Sequence, residues 1–576
     1  MKLALHFSLP LLLILPVYVY GQKNKNQKVA PVPASTGIQA KVSGMKEYPG
    51  LFTFYYDEKN DKLWVVIDKF DVEFLYVNSL SAGVGSNDIG LDRGQLGAER
   101  IVKFDRRGPK ILMLEPNYRY RAVSNNEAER KAVEEAFAQS VLWGFKVEAE
   151  EDGKVLVDAT DFFLQDAHDV IGTLKSTQQG TYTLDRSRCA FYLPRIRNFP
   201  QNSEFEVTLT FTGQPTGQYI RSVAPTASSI TVRQHHSWVQ LPDNGYKPRK
   251  FDPRAGYFGM SYYDYATPIN EPIEKRFINR HRLEKKDPAA AVSEPVEPII
   301  YYLDRGTPEP VRSALLDGAR WWNQAFEAAG YKDAFKVEVM PEDVDPMDVR
   351  YNVIQWVHRS TRGWSYGASV TDPRTGEIIK GHVTLGSLRV RQDFLIAEGL
   401  LAPYEEGKPA SEAMQQMALA RLRQLSAHEV GHTLGLAHSY ASSSEELASV
   451  MDYPHPVVNL VDGKIDLSRA YDNKIGTWDK VAIAYGYQDF PDGTNEEAAL
   501  NEIIQRSLQA GLTFLSDQDA RPTGGAHPFA HLWDNGKDAA DELNRVLEIR
   551  AVALKNFGEK NIRPGVPLAT LEEALV

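Results

Sequence analysis

The sequence predicts an α+β protein with a β-rich N-terminal region, a second unit in which strands and helices alternate, and a helical C-terminal part. Three observations carry this expectation. Short runs of β-branched and aromatic residues recur between Leu51 and Val232, separated by polar breaks. From Glu297 onward, strand-like runs are interleaved with segments of helical spacing. Beyond Trp478 the strand-like runs stop and helical spacing takes over.

The first element is not part of the fold. Lys2 precedes an apolar stretch from Leu3 to Tyr20, and Val19-Tyr20-Gly21 offers small residues at a cleavage site before polar Gln22-Lys23-Asn24-Lys25. This pattern predicts a signal peptide over 1–21 and a secreted or periplasmic protein. The stretch is short for a membrane span and Pro10 and Pro16 interrupt it, so no stable span is expected after cleavage. No cysteine follows it, which excludes a lipoprotein anchor. Residues 22–45, rich in Lys, Asn, Gln, Pro and Gly, read as a linker.

A β-rich N-terminal unit of unknown role is expected over 46–290. Its strand candidates include Leu51–Tyr55, Lys62–Ile67, Glu73–Val77, Lys110–Leu114, Glu204–Leu209 and Ser229–Val232, and one helix is expected near Glu127–Ser140. The second unit, over 291–490, opens with a strand at Ile299–Leu303. Thr307 as N-cap and Pro308 in the first turn predict a helix start. Val311, Leu315, Gly318, Trp322, Ala325 and Ala329 recur at helical spacing until Gly330 stops them. Strands are expected at Phe335–Met340, Tyr351–Val357, Tyr366–Val370 and Ile378–Leu385, then a long helix over Ser411–Leu434. A helical part covers 491–576. Thr570-Leu571-Glu572-Glu573 has the form of a capping box, which opens a helix, yet the chain ends three residues later. The natural chain is expected to continue.

Composition narrows the partners. The net charge is -11, which argues against nucleic acid, because binding there rests on clustered Lys and Arg. A single cysteine, Cys189, excludes an intramolecular disulfide and a cysteine zinc finger.

The chemistry sits in Ser426-Ala427-His428-Glu429-Val430-Gly431-His432-Thr433-Leu434-Gly435-Leu436-Ala437-His438. His428 and His432 are four residues apart, so a helix places both imidazoles on one face, within reach of one ion. Gly435 lets the chain leave the helix, because glycine adopts left-handed geometry without a Cβ penalty. His438 then returns as a third ligand. Imidazole suits Zn2+, and three protein ligands leave one position open, as in catalytic sites. Glu429 follows the first ligand and is expected to act as general base on a water activated by the metal.

Ser449-Val450-Met451-Asp452-Tyr453 follows shortly after. Together with the extended histidine motif, this methionine turn resembles the metzincin clan of zinc endopeptidases over about residues 297–490. The resemblance implies a mixed twisted sheet with an active-site helix, Met451 as an apolar floor under the metal, and Tyr366–Val370 as the edge strand that pairs with an extended protein or peptide substrate. Tyr453 matches a tyrosine of the astacin and serralysin families, which implies metal binding at rest and oxyanion stabilisation. Ser439, next to the third ligand, is instead what matrixins carry. The whole chain is similar to large bacterial zinc-dependent metalloproteases of Bacteroidetes type. Phe251-Asp252-Pro253-Arg254-Ala255-Gly256-Tyr257-Phe258 and Val370-Thr371-Asp372-Pro373-Arg374-Thr375-Gly376-Glu377 carry that likeness.

Two rival readings stay open at this level. One is an amidase acting on a cell-wall peptide. The other is an extracytoplasmic binding protein with a latent or vestigial zinc site. Weaker signals point to structure. His235 and His236 are adjacent in a strand-like run and face opposite sides. His358 and His382 are isolated, and His455 is close enough to Met451 in sequence to line the cleft. Asp517, Asp519 and Asp534 match no calcium loop and are expected to be solvated or capping. Cys189 has the chemistry of a latency thiolate, but Arg186-Ser187-Arg188-Cys189-Ala190-Phe191 does not reproduce the matrixin switch, so an inert buried thiol is expected.

Overall fold

The computed structural model describes residues 37–576 apart from 362, 407, 408, 410, 446 and 526. The expected export signal lies outside the described residues. The packed chain begins earlier than the expected linker allows. Ile38–Lys41 is a short helix, and Ile38 and Val42, one turn apart, are buried with Tyr55, Trp64 and Leu156. Two apolar residues at helical spacing suffice to dock this segment.

The N-terminal region is built on thirteen strands, from Lys46–Tyr48 at one end of the sheet to Gly180–Leu184 at the other. Every pairing in it is antiparallel. The sheet closes over itself: Phe54 near one end meets Phe205 near the other, with ring centroids 4.7 Å apart. A sheet this wide must curl or split to cover its apolar face. Trp238, fully buried, fills the enclosed core, with Phe52, Phe74, Phe104 and Phe205 at 5.4, 5.6, 5.5 and 5.2 Å. The expected helix is present at Glu127–Ala136, N-capped by the Asn126 side chain, but Ser140 already belongs to the strand Ser140–Glu151.

The second unit has a five-stranded sheet. Its elements are β1 (Ile299–Leu303), α1 (Val311–Arg320), α2 (Asn323–Ala328), β2 (Phe335–Val339), β3 (Asn352–Val357), β4 (Tyr366–Thr371), β5 (Ile378–Gly386), α3 (Arg389–Leu401) and α4 (Glu412–Thr433). Strand order is β2-β1-β3-β5-β4. The first four run parallel and β4 is an antiparallel edge strand. The first helix starts at Val311 after Pro310, not at Thr307, which is buried before it. It also breaks at Trp321 and Trp322, and the Trp322 indole N–H donates to Ala427 O at 2.8 Å, pinning α4. Helix α3 occupies a stretch between β5 and α4 for which no element was expected. Helix α4 is buried nearly all round, so it runs through the core rather than over it.

The chain just before residue 290 packs against both units. The segment before residue 290 was expected with the N-terminal unit, yet Ala255, Tyr257, Ile278 and Leu283 lie in the core of the second unit. Tyr257 pairs with Leu436, Phe258 N–H donates to Gly435 O at 2.8 Å, and Ala437 N–H donates to Gly256 O at 2.9 Å. The N-terminal region also holds the other side of the cleft. Ser360 N–H donates to Gly85 O, Asn87 donates to Trp364 O, and the Thr361 hydroxyl donates to Asp88. Asp92 accepts from Arg359 at 2.7 Å and from the Tyr366 hydroxyl at 3.1 Å, and the Arg359 and Asp92 side chains are each 1% exposed.

Removing one member of a buried ion pair leaves the other charge without compensation. Asp92→Ala is therefore expected to destabilise the protein by about 3–5 kcal/mol, read as a fall in the urea midpoint. A midpoint equal to that of the parent chain would contradict this account of the junction.

Candidate metal centre

The C-terminal turns of α4 carry His428, Glu429 and His432. One ring nitrogen from each of His428, His432 and His438 lies within 4.8 Å of the others. The remaining nitrogens are all committed. His428 Nδ1 lies 2.8 Å from Val450 O, and His432 Nδ1 lies 2.8 Å from Leu436 O. A carbonyl oxygen only accepts, so each Nδ1 carries the proton and each Nε2 keeps its lone pair. His438 Nδ1 lies 2.7 Å from Asp517, and its Nε2 is buried without a hydrogen-bond partner among the described residues. Burial, with the neighbouring imidazoles, pushes His428 well down and His432 down to about 3, so both rings are neutral. Two neutral imidazoles and the unpartnered Nε2 of His438, close together, fit a divalent cation.

Gly435 makes the turn that brings His438 back. Its φ is +100°, and a Cβ there would meet Asn279 O at 1.9 Å. The end of α4 is capped from other elements. Tyr301 O–H donates to Thr433 O, His281 Nε2 lies 3.0 Å from the same oxygen, and Tyr487 O–H donates to Leu434 O. These bonds satisfy carbonyls that a helix end leaves without partners.

Met451 lies under the helix at Gly431, where a Cβ would approach its Sδ to 2.3 Å. The turn that holds it is tied down by Asp479, which is fully buried. Asp479 accepts from the Ser449 hydroxyl at 2.6 Å, from Val450 N–H at 2.9 Å and from Gly476 N–H at 2.8 Å. The same turn supplies Val450 O to His428, so the methionine and the first ligand share one support.

Glu429 is 4% exposed, next to the edge strand, where Gly367 N–H faces its carboxylate. Burial pushes it up to about 8, against the pull of Arg421 and Gly367. Tyr453 packs edge-on against His438, with centroids 4.5 Å apart, and stacks on Trp533 at 5.0 Å. Burial and then the Glu429 charge raise its phenol, which stays protonated. His428, Glu429 and Tyr453 all line a cleft of about 520 Å³.

The other candidates lie apart from this centre. His235 sits between Glu204 and Glu206, which push it up to about 9 in spite of its burial. His236 faces the opposite side, bonded to Tyr76, and burial pushes it down to about 3. His358 bonds to Ser387, and His455 is exposed with its Nδ1 near Pro456 O, outside the cleft lining. His382 is buried among residues that line the junction with the N-terminal region. Cys189 is half-buried against the N-terminal core, donates to Asp185 O, and is pushed up by burial, so it is no metal-ready thiolate. Asp519 caps a short helix at Ser516, as expected of the group, and Asp534 accepts from Ser443.

Asp517 differs from its expected role. Besides orienting His438, it accepts from the Tyr440 hydroxyl at 2.8 Å and pairs with Arg521. Burial raises its carboxyl, but these three partners outweigh that and hold it well below the usual carboxylate range. It lies beyond residue 490, where the second unit was expected to end, so the centre draws on the C-terminal part as well. A carboxylate behind a metal-bound imidazole fixes its tautomer and raises its basicity. Asp517→Asn is expected to weaken zinc affinity by about 10- to 100-fold, measured by competition with a chromogenic chelator. Unchanged affinity would leave Asp517 a purely structural residue.

Residues 410–576 match a family model described as Met-zincin. Residues 36–83 and 94–286 match two domains of unknown function (DUF5118 and DUF5117). No curated protein matches the chain. The Met-zincin match covers both the histidine triad and the methionine turn. The three histidines lie close enough to share one metal ion, and zinc is the cofactor that this family implies. The chain thus carries a metzincin-type zinc metalloprotease unit behind N-terminal domains of unknown function.

Proposed function

We propose that the protein is a zinc-dependent endopeptidase acting outside the cytoplasm on protein or peptide substrates, with Glu429 as general base. One observation carries the reading: a buried carboxylate stands beside the first histidine ligand, at the wall of an open cleft and against an edge strand. The extracytoplasmic location rests on the N-terminal export pattern alone.

When bound, zinc supplies Lewis acidity to the scissile carbonyl and to a water molecule. The residues do the rest. Strand β4 has no strand partner on its outer side among the described residues, and this is the edge that an extended substrate backbone would join, short of Thr371, whose N–H is held by Glu99. Glu429 takes the proton of the attacking water. It then hands that proton to the leaving amine nitrogen. Tyr453 keeps its phenolic proton and donates to the carbonyl oxygen as negative charge gathers there. The Tyr453 ring packs against His438 and Trp533 in the cleft.

Glu429→Ala is expected to keep zinc and lose about 10²- to 10⁴-fold in kcat, measured on a quenched-fluorescent peptide with the metal content checked in parallel. Undiminished hydrolysis by the zinc-loaded variant would refute the mechanism. Tyr453→Phe is expected to lower kcat by about 10²-fold while KM stays near the parent value. An equal rate would return Tyr453 to a packing role.

A further inference from the structure

The zinc cleft carries more positive charge than peptide hydrolysis calls for. Arg389, Arg421 and Arg521 line it, and Glu429 is the one acid on its wall among the described residues. Two of these arginines are accounted for. Arg389 is bound to Asp393, with a shortest approach of 3.0 Å, and Arg521 is bound to Asp517.

Arg421 is different. It lies on α4 two turns before His428, and Leu425 sits between them, so positions 421, 425 and 428 share the face that looks into the cleft. The residue is 3% exposed. Its guanidinium bonds to the Gln424 side chain and lies over the Tyr471 ring, 5.6 Å from the centroid. Its Nε has no hydrogen-bond partner, and no ion pair reaches it among the described residues. The nearby Asp393 carboxylate is already taken by Arg389 and by the Tyr471 hydroxyl. Burial, with Arg389 beside it, pushes Arg421 down only to about 10, so it stays charged at neutral pH. A buried cation with spare donors and no contacting anion is costly, and it is relieved when an anion enters.

The geometry points to a specificity role. We infer that this cleft receives the carboxylate of an Asp or Glu side chain next to the scissile bond, and that Arg421 is the residue that binds it. Trp364 and Trp533 on the rim offer apolar surface to the methylene stem of such a side chain. Arg389 and Arg521 add field without being free to form the direct contact. The inference rests on the peptidase reading above and assigns it a substrate class: acidic peptides.

The test uses the zinc-loaded full chain and a mixed peptide library capped at both ends, so that side chains supply the only carboxylates. Cleavage sites are expected to be enriched in Asp or Glu at one position flanking the cut. Replacing that Glu by Gln in the best substrate is expected to lower kcat/KM by about 10- to 100-fold. Arg421→Met is expected to abolish the Glu-over-Gln preference, and Arg421→Lys to retain part of it. Zinc content and thermal unfolding accompany each variant. If Arg421→Met does not fold, the Glu and Gln peptides compared on the parent enzyme decide the matter. Cleavage without acidic preference, or a preference that survives in folded Arg421→Met, overturns the inference and leaves the peptidase reading standing. A zinc-loaded chain that cleaves no peptide at all overturns both.

Discussion

Each imidazole of the metal centre has one nitrogen fixed by a hydrogen bond to a different stretch of chain, and the surrounding fold exists to bring those three acceptors together. Val450 O comes from the methionine turn, Leu436 O from the glycine turn, and the Asp517 carboxylate from the C-terminal part. Neutral rings with a fixed tautomer are what a divalent cation requires, and a ring free to flip would lose that definition. The supports are themselves supported. Asp479 holds the methionine turn, while Tyr301, His281 and Tyr487 seal the end of α4. Buried polar networks of this kind rigidify a site because every member is satisfied.

The N-terminal region takes part in this architecture rather than standing beside it. The 256–258 segment pairs with the loop between the second and third histidines. The 85–92 loop binds Arg359, Ser360, Thr361, Trp364 and Tyr366 on the way into the edge strand, and Gly363, Trp364 and Ser365 form one wall of the cleft. These contacts include the buried Arg359–Asp92 ion pair. The Phe251–Phe258 run that carries a family likeness in the sequence thus has a structural reason: it props the glycine turn.

Much of the centre was legible because its parts lie close in sequence. Helical spacing puts His428, Glu429 and His432 on neighbouring positions, and Gly435 announces the turn to His438. Met451 and Tyr453 follow within a short run; Met451 packs against Gly431 of α4 and Tyr453 against His438. The succession of strands along the chain before α4 was readable from β-branched runs, but the helix α3 was not. Other features left no local trace. Asp517 reaches His438 across 79 positions, and Asp92 reaches Arg359 across 267. An isolated aspartate carries no periodicity, so only tertiary pairing reveals it. Nothing in the spacing of Arg421 marks it out, because arginine is a good helix former and the sequence does not say that α4 is buried nearly all round. That loops before 290 and after 490 also pack onto the second core left no trace in composition.

The central claim is a single zinc ion held by three imidazoles, with one coordination position left for water. X-ray absorption spectroscopy of the zinc-loaded chain tests it most directly. The account predicts one zinc per chain and a first shell of light atoms only, about 2.0–2.1 Å away, with outer-shell scattering from three imidazoles. A sulfur neighbour, two or fewer imidazoles, or a fourth protein ligand closing the shell would contradict it.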